Sequence, residues 1–348
     1  MSRHMAVGIM KDTKSVKKAT FGDILIVSFA KVIPFTTVSD TSQLEKLAVT
    51  PETNLYKKIE KIFSQDNRID KVSIIGTDGA DAGAIKTALD KMYKTKKGYY
   101  FILMDSFDET KSKAVIEWAN AKNKLPVYCT EKETTISVIE SFFKSINSKA
   151  IAFATKEDDD FPDAKVVGAM ATQTPGKDKW EWKEPQGALF SGFDLTDQDT
   201  LESLGVNTIQ EEREGVLAMF PGKCCNGEFI DIVWGSDNLQ DDIEIAFIRA
   251  EKKPYKIYHP GIDPRGITQC RAIVEEVLND YASDFREFIA KDINGKPQFK
   301  INVKTEYTEN DIAARIFEVS WIAIPSGSAS FGKIDGLLTF DKKKIGAV

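Results

Sequence analysis

The sequence has 348 residues, 42% apolar and 29% charged, the balance of an ordinary globular chain with room for two or three domains. Its formal net charge of −6 argues against a nucleic-acid binder, which presents a basic face, and no apolar run is long enough to cross a bilayer. Cys129, Cys224, Cys225 and Cys270 contain no CxxC pair, and the only histidines are His4 and His259. A zinc site, a disulfide framework and most histidine-based acid–base chemistry are therefore disfavoured, and reduced thiols made in a cytosol are expected.

Residues 1–4 carry no structural weight, and no continuous apolar segment of secretory type follows them. Residues 5–20, "MAVGIMKDTKSVKKAT", open on an alternation of Met5, Val7 and Ile9 and continue into a stretch with four lysines. This pattern fits an extended arm with an apolar tip, and composition alone fits a frayed terminus equally. From Asp23 the pattern becomes regular. "DILIVSFAKV" reads as a buried strand and 54–64 as a helix with Leu55, Ile59 and Ile62 on one face. "KVSIIG", "GYYFILMD", "LPVYCT" and "KAIAFATK" read as strands, alternating with helices over "AGAIKTALDKMY", "TKSKAVIEWANAK" and "TTISVIESFFKSI". Apolar runs alternating with amphipathic helices predict βαβ units around a largely parallel sheet, an α/β domain over residues 21–156.

Beyond "KEDDDFPD" the character changes. "AKVVGAMATQ" reads as a helix ending in the turn "TPGKD", and "KWEWKEP" as a short alternating segment. "LTDQDTLESLG" is a helix with Thr196 as N-cap and Gly205 as its stop. "GEFIDIVWG" reads as a strand and "SDNLQDDIEIAFIRAEKK" as a helix capped by Ser236 or Asp237. The strongest helix runs over about 266–291, with a stripe from Cys270 through Val274 and Leu278 to Phe288. "FKINVKTEY", "RIFEVSWIAI" and "FGKIDGLLTF" then supply strands, so residues 157–330 are expected to form an α+β domain. In the last segment Ile334, Leu338 and Phe340 fall on one face, with Lys333, Asp335 and Thr339 on the other. A terminal strand over 331–348 needs a partner, because an unpaired edge leaves backbone donors and acceptors open.

Candidate chemistry is sparse. "IIGTDGADAG" has strand, glycines and helix in order, but the spacing of Gly76, Gly79 and Gly83 fits neither phosphate-loop pattern. Asp78 and Asp81 also oppose an anion there, so an ordinary turn is favoured. Asp158, Asp159, Asp160 and Asp163 lack the glycine and spacing of a calcium loop and read better as a solvated linker. His259, Asp263 and Arg265 in "YHPGIDPRG" are the most enzyme-like cluster, set against a rigid Pro/Gly turn leading into a helix. Cys224–Cys225 fits a redox pair or, more simply, a hairpin turn, and the five tryptophans fit core packing. Nowhere do nucleophile, base and electrostatic stabiliser converge, so no catalytic residue, cofactor or metal is assigned.

In order, "PGKDKWEW", "LTDQDTLESLGVNTIQ", "GEFIDIVWGSDNLQDDIEIAF", a long helix and terminal strands occupy roughly residues 160–340. This succession, with the opening "GDILIVSFAKVIPFTTVSD", resembles the contractile tail sheath proteins of long-tailed phages and phage-tail-like bacteriocins. The resemblance implies an α/β plus α+β chain whose terminal arms add strands to neighbouring subunits, weaving a helical or stacked-ring homo-oligomer around a tube. The linking residues are then Val7 and Ile9 in the first arm and Ile334, Leu337, Leu338 and Phe340 in the last, with the lysines keeping the connector soluble. It also implies tail tube, baseplate and tail terminator partners, no nucleic acid, no membrane insertion, no cofactor, and a place in a virion tail or extracellular tail-like particle assembled in the host cytoplasm. The rival expectations are an α/β enzyme, or a tube or baseplate component.

Overall fold

The computed structural model describes residues 21–77, 81–146, 148–253 and 256–329; Val7, Ile9, Ile334, Leu337, Leu338 and Phe340 lie outside them. The chain opens with β1 (Ile24–Ser28), buried at every position, and β2 (Ile33–Val38), buried only at its ends. The run "DILIVSFAKV" is thus a strand only over its first half: the strand stops at Ser28, and the rest of the run turns the chain into β2. After β2 come α1 (Ser42–Glu45) and α2 (Asn54–Phe63), the latter started by Thr53, whose hydroxyl accepts from Tyr56 N. Then alternate β3 (Val72–Gly76), α3 (Ala82–Tyr93), β4 (Phe101–Met104), α4 (Glu109–Ala121), β5 (Leu125–Cys129), α5 (Ile136–Ile146) and β6 (Ile151–Phe153). These strands make one six-stranded sheet in the order β2-β3-β1-β4-β5-β6, parallel throughout except for β2 at the edge.

Both faces of this sheet are covered, which is why its strands are continuous apolar runs. Ile24 and Ile26 of β1 face one core with Ile59 and Ile62 of α2. Leu25 and Val27 face the other with Ile85, Leu89, Val115, Ile139 and Phe142 of α3, α4 and α5. The period of two along β1 therefore assigns alternate residues to different cores.

The first core does not stop at residue 156. Helix α6 (Pro162–Met170) places Val166 and Val167 against the α2 side, and Trp180 and Trp234 join the same cluster. Phe101 lies 5.7 Å from Trp180 and 5.5 Å from Trp234, centroid to centroid. A boundary after 156 thus cuts through shared packing, and "KEDDDFPD" is not a solvated linker. Asp163 and Asp160 are 0% and 2% exposed, paired with Lys58 and Lys165. Helix α7 (Leu195–Leu204) is capped by Asp194, whose carboxylate accepts from Asp197 N, so Thr196 is not the cap; Gly205 ends it at φ +90°. The hairpin β7 (Thr208–Arg213) and β8 (Val216–Phe220) follows, its charged outer half hiding any alternation.

"GEFIDIVWG" belongs to a helix. It lies at the start of α8 (Ile230–Glu251), where Ile230, Val233 and Trp234 at i, i+3 and i+4 face the core. Next come α9 (Pro264–Tyr281), β9 (Phe299–Val303), α10 (Glu309–Ala313) and β10 (Val319–Ala323). Helix α9 ends at Tyr281, ten residues short of the expected 291, yet Phe288 stays in the core. Phe288 fills the space beside Gly176 and Gly235, where an added Cβ would lie within 2.4 Å of its ring at either position. Leu239 of α8, Val274 and Leu278 of α9, and Ile301 and Val303 of β9 make a third, smaller cluster. Across it, Arg286 donates to Asn238, Asp242 and Asp280, and Tyr281 Oη lies 2.7 Å from Asn238 Oδ1.

Candidate functional site

The enzyme-like candidates prove to be fully engaged in structure. Asp81 accepts from Ala84 N at 2.7 Å, so a carboxylate already caps the helix where a phosphate would dock. His259 Nδ1 accepts from Gly261 N at 3.1 Å, which leaves Nε2 to donate to Ile316 O at 2.7 Å. Asp263 caps α9 through Arg265 N and binds the Arg265 guanidinium, which holds its carboxyl below the ordinary range. The cluster therefore ties the loop before α9 to the segment before β10.

Cys224 and Cys225 sit in the turn between β8 and α8 as free, buried thiols. Burial pushes the Cys225 thiol up to about 12 and the Cys270 thiol up to about 11, and raises Cys129 and Cys224 as well. A raised value means neutral thiols at physiological pH, unsuited to nucleophilic or redox work. Native protein at about pH 8 is expected to give no fast colour with Ellman's reagent. All four thiols should react after unfolding. A rapid native equivalent would place one of them in an open, activated site.

Trp118, Trp180 and Trp234 are buried as expected, whereas Trp182 and Trp321 are 40% and 39% exposed. Trp182 packs on Phe220 at 4.6 Å. Trp321 belongs to a small two-stranded sheet near the end of the described chain. Strands β9 and β10 form a sheet of only two, antiparallel, with Trp321 opposite Ile301 and Ile322 opposite Lys300. Among the described residues no third strand pairs with either, so each has an open edge. One face, with Ile301 and Val303 at its centre, rests on α9; on the other, Ile322 is 69% exposed. Past the sheet, Ile324 N donates to Gln298 O and Ser326 N to Phe288 O. These bonds carry the chain onward from β10 without a tight turn back along it. At the other end of the described chain, Phe21 is anchored: Trp234 Nε1 donates to its carbonyl at 2.6 Å, and its ring lies 4.6 Å from that of Tyr100.

No family model matches the chain, and no curated protein matches it. Solved structures do. A chain of the anti-feeding prophage baseplate, determined by cryo-EM with 6-fold symmetrisation, is 13% identical with a TM-score of 0.70, over 92% of this chain and 94% of that one. The sheath complex of PVC, an extracellular contractile injection system, in its contracted state matches at 13% identity and a TM-score of 0.67, over 93% of each chain. The anti-feeding prophage helical sheath in its contracted state matches at 14% identity and a TM-score of 0.64, over 93% and 94%. The chain has the fold found in these contractile assemblies. The likeness runs along nearly its whole length, so the six-stranded sheet and the α8–α9–β9–β10 unit belong to one shared architecture. Among the described residues no helix is long and apolar enough to cross a membrane, and no group of three or more His, Cys, Asp or Glu is placed to hold a metal.

Proposed function

We propose that this chain is the structural subunit of a contractile sheath. Copies polymerise into a cylinder around a tail tube, and its shortening drives the tube through a target envelope. The observation that carries the reading is fold likeness over more than nine-tenths of both chains to contracted-state sheath structures. In this reading the sheath is a homo-oligomer in a tail or tail-like particle, with tube, baseplate and terminator proteins as partners and no catalytic step. The open edges of β9 and β10 receive strands from neighbours: residues 5–10 of one copy and 331–340 of another. Main-chain pairing supplies affinity, and the alternation of Ile334, Leu338 and Phe340 supplies register.

Contraction then needs no hydrolysis. The cylinder has two packings of the same subunits, and a difference of only ~1–3 kcal/mol per subunit becomes decisive when many move together. The anchoring of Phe21 by Trp234 supports this, since a pull on the first arm reaches the buried root of α8. The baseplate match supports one second reading, a baseplate component of the same kind of particle. Electron microscopy of the purified protein separates the two: long striated cylinders support the sheath, and discrete rings without cylinders support the baseplate.

The first arm yields a sharp test. Val7→Asp with Ile9→Asp is expected to abolish polymerisation while leaving the melting temperature of the monomer unchanged, because a charge buried in a neighbour's sheet is costly only in the assembly. A melting temperature several degrees lower at monomeric concentration would instead put these residues in the subunit's own core.

A further inference from the structure

Asparagine followed by glycine occurs twice in the chain, at Asn226–Gly227 and Asn294–Gly295, and each pair lies in an exposed turn. Glycine has no Cβ to shield its main-chain nitrogen from the preceding side-chain amide. The two turns share a backbone shape: Gly227 and Gly295 are left-handed, at φ +83° and +76°, and an added Cβ would meet nothing within 4 Å at either. They differ in what holds the asparagine. Asn226 is clamped, its Nδ2 donating to Glu228 Oε2 at 2.6 Å and its Oδ1 accepting from Glu228 N at 3.2 Å. The backbone closes beneath it through a bond from Cys224 N to Glu228 O, and Cys224 and Cys225 are buried. The Asn294 side chain makes no hydrogen bond among the described residues, while its main-chain N donates to Asp292 Oδ1 at 2.9 Å. Its neighbour Ile293 is 100% exposed.

We propose that Asn294 is a site of spontaneous deamidation, with the Gly295 main-chain nitrogen as nucleophile and water as the second reactant. Hydroxide takes the Gly295 N–H proton, and the nitrogen bonds to Asn294 Cγ. The Cγ–Nδ2 bond breaks and ammonia leaves, taking up a proton from water, which closes a five-membered succinimide. Water then adds to one of the two ring carbonyls and opens the ring, giving aspartate or isoaspartate; nothing is oxidised or reduced. Gly295 N donates to Asp292 O at 2.9 Å, so that bond opens first, and at an exposed turn this is a local event. Gly227 N is held likewise, by Cys224 O at 2.9 Å, but there both side-chain bonds to Glu228 must break as well. The fold therefore makes two identical dipeptides unequal. The site also bears on the small sheet. The arms of the turn lead to Ala290 and Gln298, where Gln298 N donates to Ala290 O, Ala290 N to Ile324 O and Ile324 N to Gln298 O. Either product sets a carboxylate near Asp292, whose Oδ1 already accepts from Asn294 N and Lys296 N. Isoaspartate also adds a main-chain carbon inside the turn, which disturbs the bond from Asp292 N to Lys296 O.

The test ages full-length monomeric protein in mildly alkaline heavy-oxygen water at body temperature, digests it in mild acid and maps the peptides by mass spectrometry. The proposal is independent of the polymer reading, because no assembly is involved. The peptide containing Asn294 is expected to gain about three daltons, one heavy oxygen in place of the amide nitrogen, and to become a substrate for isoaspartyl methyltransferase. The peptide containing Asn226 should convert at least about ten-fold more slowly, the effect of two further hydrogen bonds. In urea the clamp is gone, and the two rates should come within about three-fold of each other. Asn294→Gln should abolish the gain at that peptide and leave the melting transition in place. Equal native rates, faster conversion of Asn226, a lag at Asn226 that persists in urea, a product without isoaspartate, or no native conversion of Asn294 would each overturn the proposal.

Discussion

Deleting residues 331–348 is expected to leave a folded monomer that cannot polymerise. Among the described residues, all three hydrophobic clusters are built from residues before 324. The described chain is also tied down up to Ser326 by its bond to Phe288 O, so the cut begins beyond the last backbone anchor among the described residues. What is lost, in the proposed reading, is one alternating segment, and with it the backbone pairing that a strand adds to an open edge. Circular dichroism should show an unchanged melting transition, and electron microscopy should show dispersed particles at concentrations where the full chain forms cylinders. Cylinders from the truncated protein would show that the woven link is wrong and that subunits associate through their compact surfaces alone. A transition lowered by many degrees would show that the strand pairs within its own subunit.

The parts of the fold legible in the sequence are those where one rule acts alone. β1, β3, β4, β5 and β6 are buried on both faces, so nothing breaks their apolar runs, and the amphipathic helices between them keep a clear period. The start of α8 misled because a helix end buried on several sides places Ile230, Ile232, Val233 and Trp234 close together, and dense β-branched residues imitate a strand. The stripe of α9 ran too far because Phe288 returns to the same core from a loop, after a left-handed residue at Glu287 with φ 51°. Periodicity sees which residues are buried; it does not see that the chain between them has left the helix.

The candidate site divides in the same way. Terminal alternation is visible in sequence, but the edge proposed to receive it is not: β9 and β10 are short, half-exposed strands that pair with no third strand among the described residues. The buried aspartates were hidden for a different reason. In sequence Asp158, Asp159, Asp160 and Asp163 are one charged run, and only the fold sends the first two to the surface and the last two into the core. An i-to-i+3 spacing inside "DDDFPD" gives no hint of which aspartates meet Lys58 and Lys165, because those partners come from other elements or from the far side of a turn.

That hidden division leads to the largest expected loss of stability in the described chain. Lys58 Nζ lies 2.5 Å from Asp163 Oδ2 and 2.7 Å from Met104 O, with the two side chains 3% and 0% exposed. The pair joins α2 to α6 over the carboxyl ends of the strands. Removing either partner leaves an uncompensated charge in a dry place, so Lys58→Met or Asp163→Leu should each destabilise the monomer by about 3–5 kcal/mol. The double substitution should recover most of that loss, because replacing a buried pair by apolar side chains of similar volume is often neutral or better. Urea denaturation of the four proteins at monomeric concentration closes the thermodynamic cycle. Losses below about 1 kcal/mol for both single variants would mean that water reaches the pair, as at a surface bridge. A large coupling, by contrast, shows that water stays out and that the two charges depend on each other, since a buried charge without its partner is unfavourable.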